Sequence, residues 1–280
     1  MHYLQRALVF VLLILCLGIS ACGMQKHTAV SDDIAVIQKR GTIRIGTTGD
    51  YRPLSYREKD GTYWGFDLEV AQTIAKHLGV SITYVQTSWP TLTQDVLAPD
   101  RFDCAIGGIT ITDTRKETMA MSDGYLVNGK TILCRTKDAK RFKSLASMNT
   151  PSVRVMVNPG GLNEQFARNN LPRATIIVYP KNEEIPEQVA KGKADVMITE
   201  ITEAPYYVQR DARLAAPLLK TPFTHGEIGV LLRRDQTYLL QHINAVIAAM
   251  KNDGSLQKLH EKYGLVYGSG AMRPSAEKSN

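Results

Sequence analysis

Strand-length runs alternate with amphipathic helical runs along nearly all of this chain, and that alternation confines it to an α/β class. Thr42–Thr47 reads as a strand with alternating faces. Phe66–Leu78 reads as a helix, with Leu68, Ala71, Ile74, Ala75 and Leu78 on one side, Asp67 placed to cap its start and Gly79 at its end. Residues 80–86 and 102–106 read as further strands, with a short helix near Leu92–Leu97 between them, and Asp60-Gly61 marks a hairpin turn. Such an order builds a mostly parallel sheet flanked by helices.

The design then repeats. Residues 152–157 form a strand that stops at Asn158-Pro159-Gly160-Gly161, followed by a helix over 163–170, a strand over 174–179, a helix over 183–191 and a strand over 194–199. Residues 227–234 read as a strand returning to the first unit, and 238–252 and 256–263 as two closing helices. The expected architecture has two lobes. The first is discontinuous, 22–134 and 224–280, and the second is 135–223, with hinge crossings near 134–136 and 222–226. A ligand held between such lobes is enclosed when they close.

Gly107 to Thr131 is the stretch with the clearest chemistry. A buried strand runs into Gly107-Gly108, and Thr110-x-Thr112-x-x-Arg115 follows. That spacing offers two hydroxyls, backbone N–H groups and a planar guanidinium at a strand-to-helix junction, which suits a small carboxylate. Asn128-Gly129-Lys130 adds a turn and a second cation. Asp50 and Tyr51 sit in a loop at the carboxyl end of the first strand, where open α/β sheets bind ligands.

The 280 residues carry a net charge of +7 with the cations scattered, so no nucleic-acid stripe is present. Arg6 precedes an apolar run over 7–19, too short to span a bilayer and of signal-peptide length. It ends in Ile19-Ser20-Ala21-Cys22, which resembles the bacterial lipobox; an ordinary secretory signal or an uncleaved anchor are the alternatives. On the lipobox reading residues 1–21 are removed and Cys22 is the acylated first residue of a periplasmic, membrane-anchored protein. Cys104 and Cys134 remain in the folded part, as a bridge or as two buried thiols. No Cys/His cluster has metal-ligand spacing.

Gly108-Ile109-Thr110-Ile111-Thr112-x-x-Arg115, Phe66-Asp67, Gly192-Lys193-Ala194-Asp195 and Lys251-Asn252-Asp253-Gly254 resemble the type 2 periplasmic amino-acid-binding proteins over nearly the whole mature chain. The resemblance implies that fold, and an arginine at 115 gripping a ligand carboxylate. Thr47 to Tyr51, Trp89-Pro90, Asn128 to Thr131, Val157 to Gly161 with Asn163-Glu164, and Glu203 are similar to the cyclohexadienyl dehydratases, exported enzymes on the same fold. These make phenylpyruvate from prephenate or phenylalanine from arogenate. The likeness implies a catalytic set of Glu203 as general acid with Asn158 and Lys130. It implies substrate contacts from Arg115, Tyr51 and Trp89; Thr110, Thr112, Asp50, Gly160, Gly161 and Glu200 are further candidate contacts by their places in the same turns and loops. Arg115 and Lys130 would take the two carboxylates, Tyr51 and Trp89 would wall the ring, and no cofactor or metal is implied. A ring hydroxyl leaves well only when protonated, so a buried Glu that keeps its proton near neutrality fits the task.

Two positions depart from the enzyme pattern. Glu200 stands where an aspartate is usual, and Leu162 replaces a hydroxyl residue beside the glycine pair. With the lipobox, these favour the other reading, a non-catalytic receptor delivering an amino acid or small carboxylate to an ABC permease.

Overall fold

The structure, a computed structural model, describes residues 32–265. The expected signal segment and Cys22 lie outside them. Two five-stranded sheets, each with its own apolar core, carry the fold. The first has the order Ser81–Gln86, Thr42–Thr47, Cys104–Ala105, Leu231–Leu232, Ala120–Met121. Its first three strands are parallel, and the returning Leu231–Leu232 runs antiparallel to both neighbours. The second has the order Thr175–Val178, Arg154–Val157, Val196–Glu200, Lys130–Arg135, Leu214–Ala215, parallel at the first two pairings and antiparallel at the last two.

Each sheet is positioned by helices whose apolar stripe it covers. Phe66–Leu78 buries Leu68, Ala71, Ile74, Ala75 and Leu78 as its periodicity demands, and Gly79 ends it in the left-handed conformation. Asp67 differs from expectation. Gly65 occupies the cap position, and the Asp67 carboxylate turns inward, wholly buried, to accept the Gly108 N–H at 2.5 Å. The helix start is therefore bolted to the glycine pair of the candidate anion site. The returning segment is also not one strand: Gly226–Ile228 and Leu231–Leu232 are separate, broken at Gly229, where a Cβ would stand 2.9 Å from the Ile111 side chain.

Leu126–Asn128 and Gly226–Ile228 pair antiparallel and form the two-stranded crossing between the sheets. Lys130 already belongs to the second sheet, opposite Glu200, so the first crossing falls at Gly129, ahead of the expected boundary at 134. Residues 130–134 are buried throughout, and a strand without polar alternation does not announce which sheet it joins. Gly129 is required there because a Cβ would lie 2.2 Å from the Thr224 carbonyl oxygen of the second crossing. Asn128-Gly129-Lys130 is thus a crossing rather than a turn.

A small three-stranded sheet, Asp50–Tyr51, Ser55–Arg57 and Tyr63–Trp64, stands beside the first, and Asp60 closes its turn by accepting the Thr62 N–H at 2.9 Å. Cys104 and Cys134 are free buried thiols in different sheets, and burial pushes Cys134 up to about 12.

Candidate functional site

The strand Cys104–Ala105 ends at Gly107 and Gly108, whose φ values of 135° and 75° suit glycine. A Cβ on Gly108 would stand 2.1 Å from the Tyr51 ring, so the bare backbone is what lets that ring lie against it. Thr112 then caps the short helix Asp113–Thr118, its hydroxyl accepting the Arg115 N–H at 3.2 Å. This turn aims Arg115 inward, where one arm of the guanidinium donates to the Thr110 carbonyl at 2.5 Å. Among the described residues Arg115 makes no ion pair within 4 Å. Burial lowers it to about 10, against the opposing pull of Glu200, and it remains a cation at neutral pH.

Tyr51, Trp89, Thr110, Arg115, Lys130, Asn158, Gly161 and Glu200, all named from sequence, line one cavity. Tyr51 and Trp89 meet edge to face, with centroids 6.0 Å apart. Trp89 donates its indole N–H to the Asp50 carboxylate at 3.1 Å, which keeps Asp50 behind the wall rather than on it. Thr112 and Gly160 face an outer groove of about 600 Å³ that Arg115 also reaches. The cavity itself encloses about 20 Å³, room for one water. Tyr51 and Glu200, Asp50 and Asn182, and Pro90 and Gly160 touch from the two sides, so the arrangement is closed.

At the centre, Lys130 donates from Nζ to Glu200 Oε1 at 2.5 Å and to Asn163 Oδ1 at 2.6 Å, and the Tyr51 hydroxyl donates to Glu200 Oε2. Burial acts to raise the Glu200 carboxyl. The Lys130 charge and the hydrogen bonds from Lys130 and Tyr51 outweigh it and hold Glu200 below the ordinary value.

Glu203 behaves oppositely. It is fully buried, at the start of the helix Ala204–Val208, with Oε2 taking the Thr199 hydroxyl at 2.5 Å and Oε1 the Asn182 amide at 2.8 Å. Burial, helped by the Glu200 and Asp50 charges, raises it to about 8 against the Thr199 and Asn182 hydrogen bonds. Glu203 adjoins the cavity through Asn182, which lines it together with Glu200.

Sequence reasoning missed Asn163 and Asn182 as site residues. Asn163 follows the glycine pair in a match already noted, which was its signal. Asn182 sits in a polar run, Pro180 to Glu184, with nothing in the chain to mark it.

The model of the bacterial extracellular solute-binding proteins, family 3, matches residues 43–266. The cyclohexadienyl dehydratase of Pseudomonas aeruginosa is 43% identical over 202 residues, covering 72% of this chain and 75% of the relative. Among solved structures, an ancestral amino acid-binding protein described as a precursor of cyclohexadienyl dehydratase superposes with a TM-score of 0.76 at 37% identity, covering 82% of this chain and 98% of that one. An ancestral cyclohexadienyl dehydratase is 50% identical over 82% of this chain and 95% of its own, with a TM-score of 0.51.

Proposed function

We propose that this chain, which belongs to the bacterial extracellular solute-binding proteins of family 3, is an exported cyclohexadienyl dehydratase acting on prephenate, with arogenate a second candidate substrate. The observation that carries the reading is the Glu203 carboxyl, buried beside the cavity and raised to about 8, an acid that keeps its proton at neutral pH. Arg115, a cation without an ion-pair partner among the described residues, takes a substrate carboxylate by its planar fork. Tyr51 and Trp89 flank the ring.

The reaction then balances without an external reagent. Glu203 gives its proton to the ring hydroxyl as the C–O bond breaks and water leaves. The ring carboxylate leaves as CO2, and the electrons of that C–C bond complete the aromatic ring. Glu203, left as carboxylate, regains a proton from solvent. A cavity of about 20 Å³ does not hold this substrate, so entry requires the two sides to part and Glu200 to release Tyr51.

The receptor reading keeps support from Glu200, an acid in the cavity wall where a ligand ammonium would be met, and from the likeness to an ancestral amino acid-binding protein. It would add an ABC permease as partner. On either reading acylation at Cys22 tethers the mature protein to the membrane. Phenylpyruvate formation from prephenate by the purified protein separates the two.

A further inference from the structure

Asn182 both lines the cavity and touches the buried acid. It is 1% exposed and opens the short 3₁₀ turn Asn182–Glu184 on the second-sheet side. Its Nδ2 donates to two acceptors at once: Glu203 Oε1 at 2.8 Å and the backbone carbonyl of Asp50, in the small sheet on the opposite side, at 3.2 Å. A carbonyl oxygen only accepts, so the Asp50 contact fixes which way the amide points. Rotating it would set Oδ1 against the Asp50 oxygen. The amide oxygen is buried and has no partner among the described residues.

We propose that Asn182 is the positioning residue for Glu203: the Asp50 carbonyl of the closed arrangement locks its amide, and the locked amide holds the Glu203 carboxyl with Oε1 as acceptor. The consequence is a link between closure and acid geometry. With the two sides apart Asn182 loses the Asp50 carbonyl, its amide is free to turn, and Glu203 loses a fixed orientation. With the sides together the same amide occupies Oε1 and leaves the acid proton to Oε2, where the Thr199 hydroxyl, a donor to the carboxylate, serves the protonated acid as acceptor. The inference rests on the dehydratase reading for its catalytic meaning, while the geometry it invokes does not.

The groups that face Glu203 are the carboxylates of Glu200 and Asp50, the hydroxyls of Tyr51 and Tyr207, and the hydrogen-bond donors Thr199 and Asn182. Of these, Asn182 favours the ionised acid by donating to it. Removing it therefore moves the Glu203 midpoint up. General loosening that admitted water would move it down.

The test is an infrared titration of the Glu203 carboxyl band, assigned by its loss in Glu203→Gln, in the wild type, Asn182→Ala and Asn182→Gln. It needs no turnover. Asn182→Ala is expected to raise the midpoint, and Asn182→Gln, which keeps the donor, to return it toward the wild-type value. A midpoint that stays put or falls in Asn182→Ala would overturn the assignment, and Asn182→Gln answers the same question if the alanine variant does not fold. In parallel, Asn182→Ala should lower kcat for prephenate about tenfold or more with KM nearly unchanged, as loss of a transition-state contact does. Equal falls in kcat and 1/KM would contradict it. Absence of prephenate turnover in the wild type would sink the dehydratase reading alone and leave the titration standing.

Discussion

Lys130 and Glu200 are a directly opposed cross-strand pair, and their side chains meet at 2.5 Å with each less than a tenth exposed. The pair is neutral as a unit, so Arg115 is the cation left for a ligand carboxylate. Lys130 spends two of its three N–H donors on Glu200 and Asn163, which leaves one for a second carboxylate.

Truncating Glu200 leaves that ammonium buried without a counter-charge, with only the neutral Asn163 amide beside it. Glu200→Ala should cost about 3–5 kcal/mol in urea unfolding, the usual penalty for breaking one half of a buried pair. Because Glu200 is held below its ordinary value, its contribution is present above pH 4.5 and fades as pH falls through the lower folded value. A variant within 1 kcal/mol of wild type would show that the pair is not desolvated.

Glu203 has the opposite sign. Its folded value of about 8 lies above the ordinary 4.5, so the folded state holds a proton that the unfolded chain has lost between those limits. Stability from this group is complete below pH 4.5 and declines by about 1.4 kcal/mol per pH unit across the window, until pH passes 8. Asp67, raised to about 7 by burial, adds a similar slope, so the informative quantity is the difference between wild type and Glu203→Gln. The glutamine variant should show a flatter Tm profile from pH 5 to 8. Parallel profiles would mean that Glu203 titrates normally.

Arg115→Lys keeps the charge and loses the fork. One lost charge-assisted hydrogen bond of about 1.5–3 kcal/mol should weaken carboxylate binding about 10- to 150-fold, read by calorimetry with prephenate or the tightest ligand found. Unchanged affinity would place the carboxylate elsewhere.

Gly160 has φ 71°, and a Cβ there would lie 2.7 Å from Pro90 across the cleft. Gly160→Ala should prop the two sides apart, enlarging the radius of gyration by small-angle scattering and weakening ligand binding. A compact variant with full affinity would argue against closure at this contact.

Much of this was legible in the chain. The helix Phe66–Leu78 and the strand Thr42–Thr47 appear at their predicted residues, because one carries a clean 3.6-residue stripe and the other alternates its faces. Arg115 could be placed because its turn is local: it bonds both Thr110 and Thr112 within six residues of chain. What escaped depends on distant pairing. Asp67 looks like a cap until Gly108, 41 positions away, offers it an N–H. Lys130 looks like a free cation until the second sheet sets it opposite Glu200. Asn182 has no local pattern, since its two acceptors come from positions 21 and 132 residues away.

The most direct test of the central claim is phenylpyruvate formation from prephenate by the purified mature protein, with Glu203→Gln beside it. The account predicts turnover well above the spontaneous rate that falls as pH rises through about 8, and its collapse in the glutamine variant while ligand binding survives. Wild-type protein that binds an amino acid or carboxylate tightly yet leaves prephenate at its spontaneous rate would contradict the account and make this chain a receptor.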